Sequence, residues 1–365
     1  CSSQIRALFS AKPNLRINYT HTINGTPVLK QCSGTCWLES GIATLETSSG
    51  KALASEYNVI ETMREGAQSA LKNLAKLDIS SGHDVLSKGN STNDALKTIA
   101  RQGVVFRSQF ALSPDFLKKM DEARAILKNG GAKNIESASP LQILNFLIGL
   151  NLRAAKEKHA SGKLSPSALK DIDANIQGLL DFATGGLKKK GINPQKNFSE
   201  LFPKCRIEDY TATQPSGSSS PLKQKIFDAL DMGADVFNRS RFRFHTTSWS
   251  QPELEKEVIS HLDQGKTAWL SFLKQEDLID KDTGVAQLRM PLLDQQKDIQ
   301  TKFNEYLPLA HGVAIEGYKL DSKGKLEWLL IKDSQGPDIY DQGYIHMQAD
   351  YFRAMMNNVM LLPGK

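Results

Sequence analysis

No stretch of this 365-residue sequence reaches the roughly 18 apolar residues that a bilayer-spanning helix needs. The most apolar run, Leu141 to Leu152, is shorter and carries asparagines, so it reads as a buried helix. Cysteine is scarce: there are four, with no CxxC pair among them. His21, His83, His159, His245, His261 and His346 show no metal-ligand spacing. Both observations argue against structural zinc, and each of these histidines reads as a surface or hydrogen-bonded side chain. No glycine loop of the phosphate-cradling kind is present, so neither a metal nor a nucleotide cofactor is expected. The formal charge of +6 comes from lysines scattered along the chain rather than from a dense block, which argues against a nucleic-acid partner. The one basic patch, "NRSRFRFH" (Asn238 to His245), alternates Arg239, Arg241 and Arg243 with Phe242 and Phe244, and reads first as a strand with one wet basic face.

What is there is an ordinary globular composition, 40% hydrophobic and 24% charged, on a chain longer than a usual single domain. Two lobes, or one large domain with an insertion, are expected. The sequence starts at Cys1, followed by Ser2 and Ser3, without a methionine. One reading is an exported bacterial lipoprotein tethered to the membrane through Cys1; a trimmed start, with a cytoplasmic location, is the equal alternative. Five Asn-x-Ser/Thr sequons would suit export, but a count near this arises by chance.

Helical spacing runs from Tyr57 to Leu77 and again from about Ala95 to Gln102, so the first hundred residues are mainly helical. Three further helices share one start signal. Ser113, Ser139 and Ser165 stand as N-caps, Pro114, Pro140 and Pro166 follow at the first helical position, and glycines lie after each end. These define an all-helical insertion. "TATQPSGSSSP" (Thr211 to Pro221) has the composition of an exposed strap. Beyond it the pattern turns to short β-prone runs, "TAWLSFL", "HGVAIEGYKL", "LEWLLIKD" and "YIHM", with a helix from about Pro252 to Gln264 and a hairpin turn at "DSKGK".

In "QCSGTCWLESGIATLE" (Gln31 to Glu46), Cys36 opens a helix whose apolar face is Trp37, Leu38, Ile42 and Leu45. A helix N-terminus offers partial positive charge that lowers a thiol's pKa, so a cysteine there is primed as a nucleophile. Taken alone, Cys36 reads more readily as a small buried hydrophobe than as a nucleophile. A nucleophile needs a base and a group that orients the base. If "DSKGK" joins two strands, His311 at the start of the first and Asp333 at the end of the second emerge at the same end of the hairpin.

These segments resemble the papain family of cysteine peptidases. "TPVLKQCSGTCW" (Thr26 to Trp37) is similar to the family's nucleophile motif, "HGVAIEGY" (His311 to Tyr318) to its histidine strand, and "WLLIKDSQG" with "QGY" to its K-N-S-W-G and following G-Y. The bleomycin-hydrolase and aminopeptidase branch looks nearest, through "ALASEYNVIETMREGAQSA", "ALKTIARQGVVF" and the tail "MQADYFRAMMNNVMLL". The resemblance covers about residues 20–106 and 205–360 and implies an α+β, two-lobed papain-like fold, with residues 1–106 as a helical lobe carrying the nucleophile helix and 204–365 as a β-rich lobe; the helical insertion, 107–203, is read from its capping signals and matches no part of the family. It implies hydrolysis of peptide or protein substrates through a Cys-His-Asp acyl-enzyme, with Cys36 as nucleophile, His311 as base and acid, Asp333 orienting His311, and Gln31 as an oxyanion donor. Three departures stand out. Gln31 lies five residues before Cys36 where the family has six, Asp333 replaces an asparagine, and Gln335 replaces a shielding tryptophan. An acyltransferase or deamidase of transglutaminase type, or a catalytically silent binding fold, are the alternatives. The insertion is expected to restrict access to the cleft or to bind a partner. Papain relatives also often bridge a cysteine near this loop, which makes a Cys32 to Cys205 disulfide or a free Cys32 thiol the two expectations.

Overall fold

The computed structural model describes residues 17–23, 25–28, 31, 34–77, 92–132, 135–202, 211–213, 250–274, 276–287 and 310–361. Cys1, the Cys32 to Cys205 bridge and the basic stretch 238–245 lie outside the described residues.

Helix α1 (Cys36–Ser49) is the centre of the helical side. Trp37, Leu38, Ile42 and Leu45 are buried as the spacing predicts, and so are Ser40, Gly41 and Thr44 on the opposite face. A helix covered all round must be packed from two directions. On one side lie α2 (Ser55–Lys72) and α3 (Thr92–Gln102), and on the other the sheet. Gly41 is what lets the sheet approach, since a Cβ there would meet Trp269 Cη2 at 2.8 Å and Ile99 Cδ1 at 3.1 Å. Each fully buried leucine or isoleucine in this layer contributes about 1.5–3 kcal/mol of transfer free energy.

The capping signals hold at all three sites. Helices α4 (Pro114–Asn129), α5 (Pro140–Ala160) and α6 (Pro166–Ala183) begin with Ser113, Ser139 and Ser165 accepting from the N–H of Phe116, Gln142 and Ala168. Ser139 and Gln142 close a reciprocal capping box. A fourth helix, α7 (Pro194–Leu201), uses Asn193 in the same way and went unread in the sequence. Helices α5 and α6 pack on α2, and α7 packs on α3. One continuous hydrophobic cluster therefore joins α1, by way of Ile60, Met63 and Ile99, to Ile148, Ile176 and Leu180. The helix expected to run to Leu77 ends earlier, at Lys72, and a 3-10 turn (Leu74–Lys76) follows.

The sheet is built from β1 (His21–Thr22), β2 (Thr211–Thr213), β3 (Ala268–Leu273), β4 (Val285–Ala286), β5 (Ala310–Leu320), β6 (Leu326–Lys332), β7 (Tyr344–Gln348) and β8 (Met356–Leu361). Its order is β2-β8-β3-β5-β6-β7-β4, with β1 paired to the far end of β5. Every pairing among these strands is antiparallel except β4 with β7. The "DSKGK" turn forms as predicted, with the Asp321 carboxylate accepting from the N–H of Lys323 and Lys325. Of the expected strap, Thr211–Thr213 form strand β2, paired to β8, and residues 214–221 lie outside the described residues.

Strand alternation divides the core. Trp269 joins the helical cluster, whereas Ala268, Leu270 and Phe272 face a second cluster covered by α8 (Gln251–Asp263) and α9 (Ala349–Met355). Helices on both faces of a mainly antiparallel sheet make this an α+β fold.

Candidate active site

Two elements bring the predicted site residues together. Strand β5 lies flush on α1 because position 312 is glycine; a Cβ there would sit 2.8 Å from Ser40 Oγ, 3.1 Å from Trp37 Cα and 3.3 Å from the Cys36 carbonyl oxygen. That approach sets His311 against Cys36. Phe272, the register partner of His311 on β3, meets its ring edge-on with centroids 5.9 Å apart. Strand β6 then ends at Lys332, and Asp333 follows at the same end. As the hairpin argument predicts, His311 Nε2–H donates to Asp333 Oδ1 at 2.7 Å. Asp333 is fully buried and His311 nearly so. With Nε2 taken by Asp333, Nδ1 is the ring nitrogen that remains for the Cys36 thiol.

The electrostatics follow from this arrangement. Burial alone pushes the Cys36 thiol up, but the hydrogen bond and charge of His311, with the N–H groups of Gly312 and Trp37, outweigh it and hold the thiol below its ordinary value. Burial likewise opposes charge on His311, yet the Asp333 carboxylate and the thiolate carry its pKa up to about 9. Asp333 is held well below the usual carboxylate range, because the His311 charge and then the Lys274 ammonium outweigh its burial. Glu39, one turn along α1, is pushed up to about 8 by burial. It is therefore mostly protonated at neutral pH and adds little negative charge to α1.

Gln31 is brought to the same place. Its backbone N–H donates to the Ser334 carbonyl at 2.6 Å, and Ser334 Oγ donates to Gln31 Oε1 at 2.7 Å. The residue after Asp333 thus anchors the predicted oxyanion donor from both its backbone and its side chain. The segment before Gln31 is strapped across the sheet. The Tyr19 hydroxyl donates to His346 Nδ1 at 2.5 Å, His346 Nε2–H donates to Asp341 at 2.9 Å, and Lys332 Nζ reaches the Thr26 hydroxyl at 2.9 Å.

Sequence reasoning missed one group. Lys274, directly after β3, is buried and donates to Asp333 Oδ2 at 3.0 Å. Its only signal in the sequence is a charge closing an otherwise apolar strand run, "AWLSFLK". The tryptophan that Gln335 replaces is not needed to keep Asp333 dry, because Asp333 is fully buried without it, and the Gln335 backbone N–H adds a third donor to the carboxylate at 3.1 Å. Among the described residues no group of His, Cys, Asp and Glu side chains is arranged to hold a metal ion.

No protein-family model and no curated protein matches the chain. Solved structures do. The chain is similar to PepW of Lactobacillus rhamnosis, with a TM-score of 0.60 and 16% identity over 94% of this chain and 82% of that one. It is also aligned with the bromelain protease of Ananas comosus at a TM-score of 0.38 and 12% identity, over 93% of this chain and 94% of that one. The likeness to PepW, at this identity, shows the fold alone: the chain folds as PepW does.

Proposed function

We propose that the chain is a cysteine peptidase acting on peptide or protein substrates through a thiol acyl-enzyme. The observation that carries this reading is the continuous line from Asp333 through His311 to a thiol at the first turn of a buried helix. In its finer form the proposal is a two-lobed layout, α1 and the helical layer on one side and the sheet on the other, with residues 107–203 inserted into the helical side.

In this mechanism Cys36 attacks the scissile carbonyl as thiolate while His311 is imidazolium. The tetrahedral oxyanion is received by the Cys36 backbone N–H and the Gln31 amide, each such donor being worth about 3 kcal/mol. The helix N-terminus supports the first of these, since the N–H groups of the opening turn have no carbonyl partner within the helix. His311 Nδ1–H then protonates the leaving amine, and the C–N bond breaks to give a thioester. Water, with its proton taken by His311, adds to the thioester and frees the acid and the thiol. Thioester chemistry of this kind needs no cofactor.

Incubating the protein with a broad peptide mixture and reading the products by mass spectrometry tests the proposal. Cleavage that disappears in Cys36→Ala is expected. Unchanged cleavage in that variant would end the proposal, and products carrying an added amine in place of hydrolysed ends would move it to acyl transfer.

A further inference from the structure

Burying a lysine is unfavourable unless its charge is matched, so Lys274 calls for a reason. Its side chain is 5% exposed, and its ammonium lies 3.0 Å from Asp333 Oδ2, 3.3 Å from Glu276 Oε1 and 5.0 Å from the centre of the Tyr340 ring. The Asp333 carboxylate is thus divided. Oδ1 takes His311 and the Gln335 N–H, and Oδ2 takes Lys274. The division is built into the sheet. Phe272 on β3 pairs with His311 on β5, so the residue closing β3 emerges at the end where Asp333 leaves β6.

We propose that Lys274 is a positioning residue that acts through Asp333 to set the pH range over which the Cys36 thiolate and the His311 imidazolium coexist. The inference rests on the thiol and imidazole pairing proposed above, though not on peptide hydrolysis itself.

An aspartate behind the imidazole gives a thiolate, imidazolium and carboxylate array one net negative charge. Lys274 returns that array to neutrality. It also fixes the carboxylate plane, because an oxygen on each side is held by a different donor. The remaining charged and titratable groups around the array do not supply this balance. From α1, Glu39 and Glu46 line the same small cavity of about 20 Å³ as Asp333 and Ser334, and burial raises both of their pKa values. Lys332 also lines that cavity, but its ammonium faces Thr26 and Glu316. Glu276 and Tyr340 flank Lys274 itself and bond to each other at 3.1 Å.

Removing the ammonium leaves the full charge of Asp333 to the imidazolium, so the pH at which His311 loses its proton must rise. Two unit charges about 6 Å apart at an effective dielectric constant near 20 correspond to an upper bound of roughly two pH units. A lysine that served only to fill space or hold the loop would leave that pH unmoved.

The test is the rate at which iodoacetate alkylates Cys36, followed as a function of pH by mass spectrometry of the Cys36 peptide in the full chain. The probe is an anion, so it reacts fastest while the imidazolium stands beside the thiolate and slows as His311 loses its proton. We expect the alkaline limb of Lys274→Met and Lys274→Gln to move upward by about one unit or more, and Lys274→Arg to keep the wild-type limb. Lys274→Gln retains a donor toward Asp333 and serves where the methionine variant does not fold. A limb that stays in place or falls in the folded neutral variants would overturn the proposal. Peptide cleavage by wild type with an unmoved limb removes the Lys274 role alone. A shifted limb in a protein that cleaves no peptide removes the peptidase reading and leaves Lys274 its role.

Discussion

Asp333→Asn separates charge from hydrogen bonding at the centre of the site. The asparagine carboxamide oxygen still accepts from His311 Nε2, so the ring keeps its place. What is lost is the charge, the first of the influences that carry His311 up to about 9 against its burial. The signs are fixed by that cause: without the carboxylate the imidazolium is less favoured, and the alkaline limb of activity falls by about one to two units toward neutral pH. Read from the sequence alone, the variant should keep substantial activity. The structure adds a cost, because Lys274 now stays buried at 5% exposure with only the half-exposed Glu276, 3.3 Å away, as counter-charge. Removing one partner of a buried ion pair costs about 3–5 kcal/mol; with Glu276 remaining, a loss of about 2–3 kcal/mol is the expectation. Urea unfolding at neutral pH measures that loss, and the pH profile of Cys36 alkylation or peptide cleavage measures the shift. Asp333→Asn combined with Lys274→Met should regain much of the stability, since the stranded charge is gone, and the two changes should couple by more than about 1 kcal/mol. A profile identical to wild type, or single changes that simply add, would refute the charge argument.

Further expectations can be checked alongside. His311→Ala should nearly abolish turnover while Cys36 remains alkylatable at high pH, as mass spectrometry of the Cys36 peptide would read. Gly312→Val forces a side chain against Trp37 Cα and the Cys36 carbonyl, so it should lower stability by about 2–3 kcal/mol and activity by more than the stability loss explains, measured by urea unfolding and peptide cleavage. Ser334→Ala removes the hydroxyl that holds Gln31 Oε1, and should lower kcat about tenfold with little change in KM, against a loss of about 10²–10³ for removing an oxyanion donor outright. Because His311 has a raised pKa in the folded chain, the stability it contributes is complete below about 6.5 and is lost as pH rises through about 9. Thermal melts at mildly acidic and at alkaline pH should show Tm falling across that window, and less so in His311→Ala.

The parts of the fold that were legible are those whose chemistry is local. A serine cap followed by proline satisfies the first free N–H groups of a helix within four residues, so Ser113, Ser139 and Ser165 could be read one by one. The turn at Asp321 is local in the same way, and its hairpin carries His311 and Asp333 to one end without further information. Cys36 was legible because a helix start is itself a chemical environment. Lys274 was not, since its partner is 59 positions away and only the pairing of β3 with β5 brings the two together. Strand β2 failed for a related reason. A short polar run such as "TAT" carries no apolar alternation, and it becomes a strand only because β8 offers it an edge.

The same distinction governs the departures from the papain pattern. Read singly, an aspartate for an asparagine and a glutamine for a tryptophan look like damage to the site. In the folded chain the aspartate is paired with a buried lysine, and its carboxylate is already dry, with three donors on its two oxygens. A buried charge is tolerated only with its partner in place, so the aspartate and Lys274 have to be judged as one unit. Judged that way, the site keeps the electrostatic balance of a cysteine, histidine and asparagine array, reached with two opposite charges in place of none.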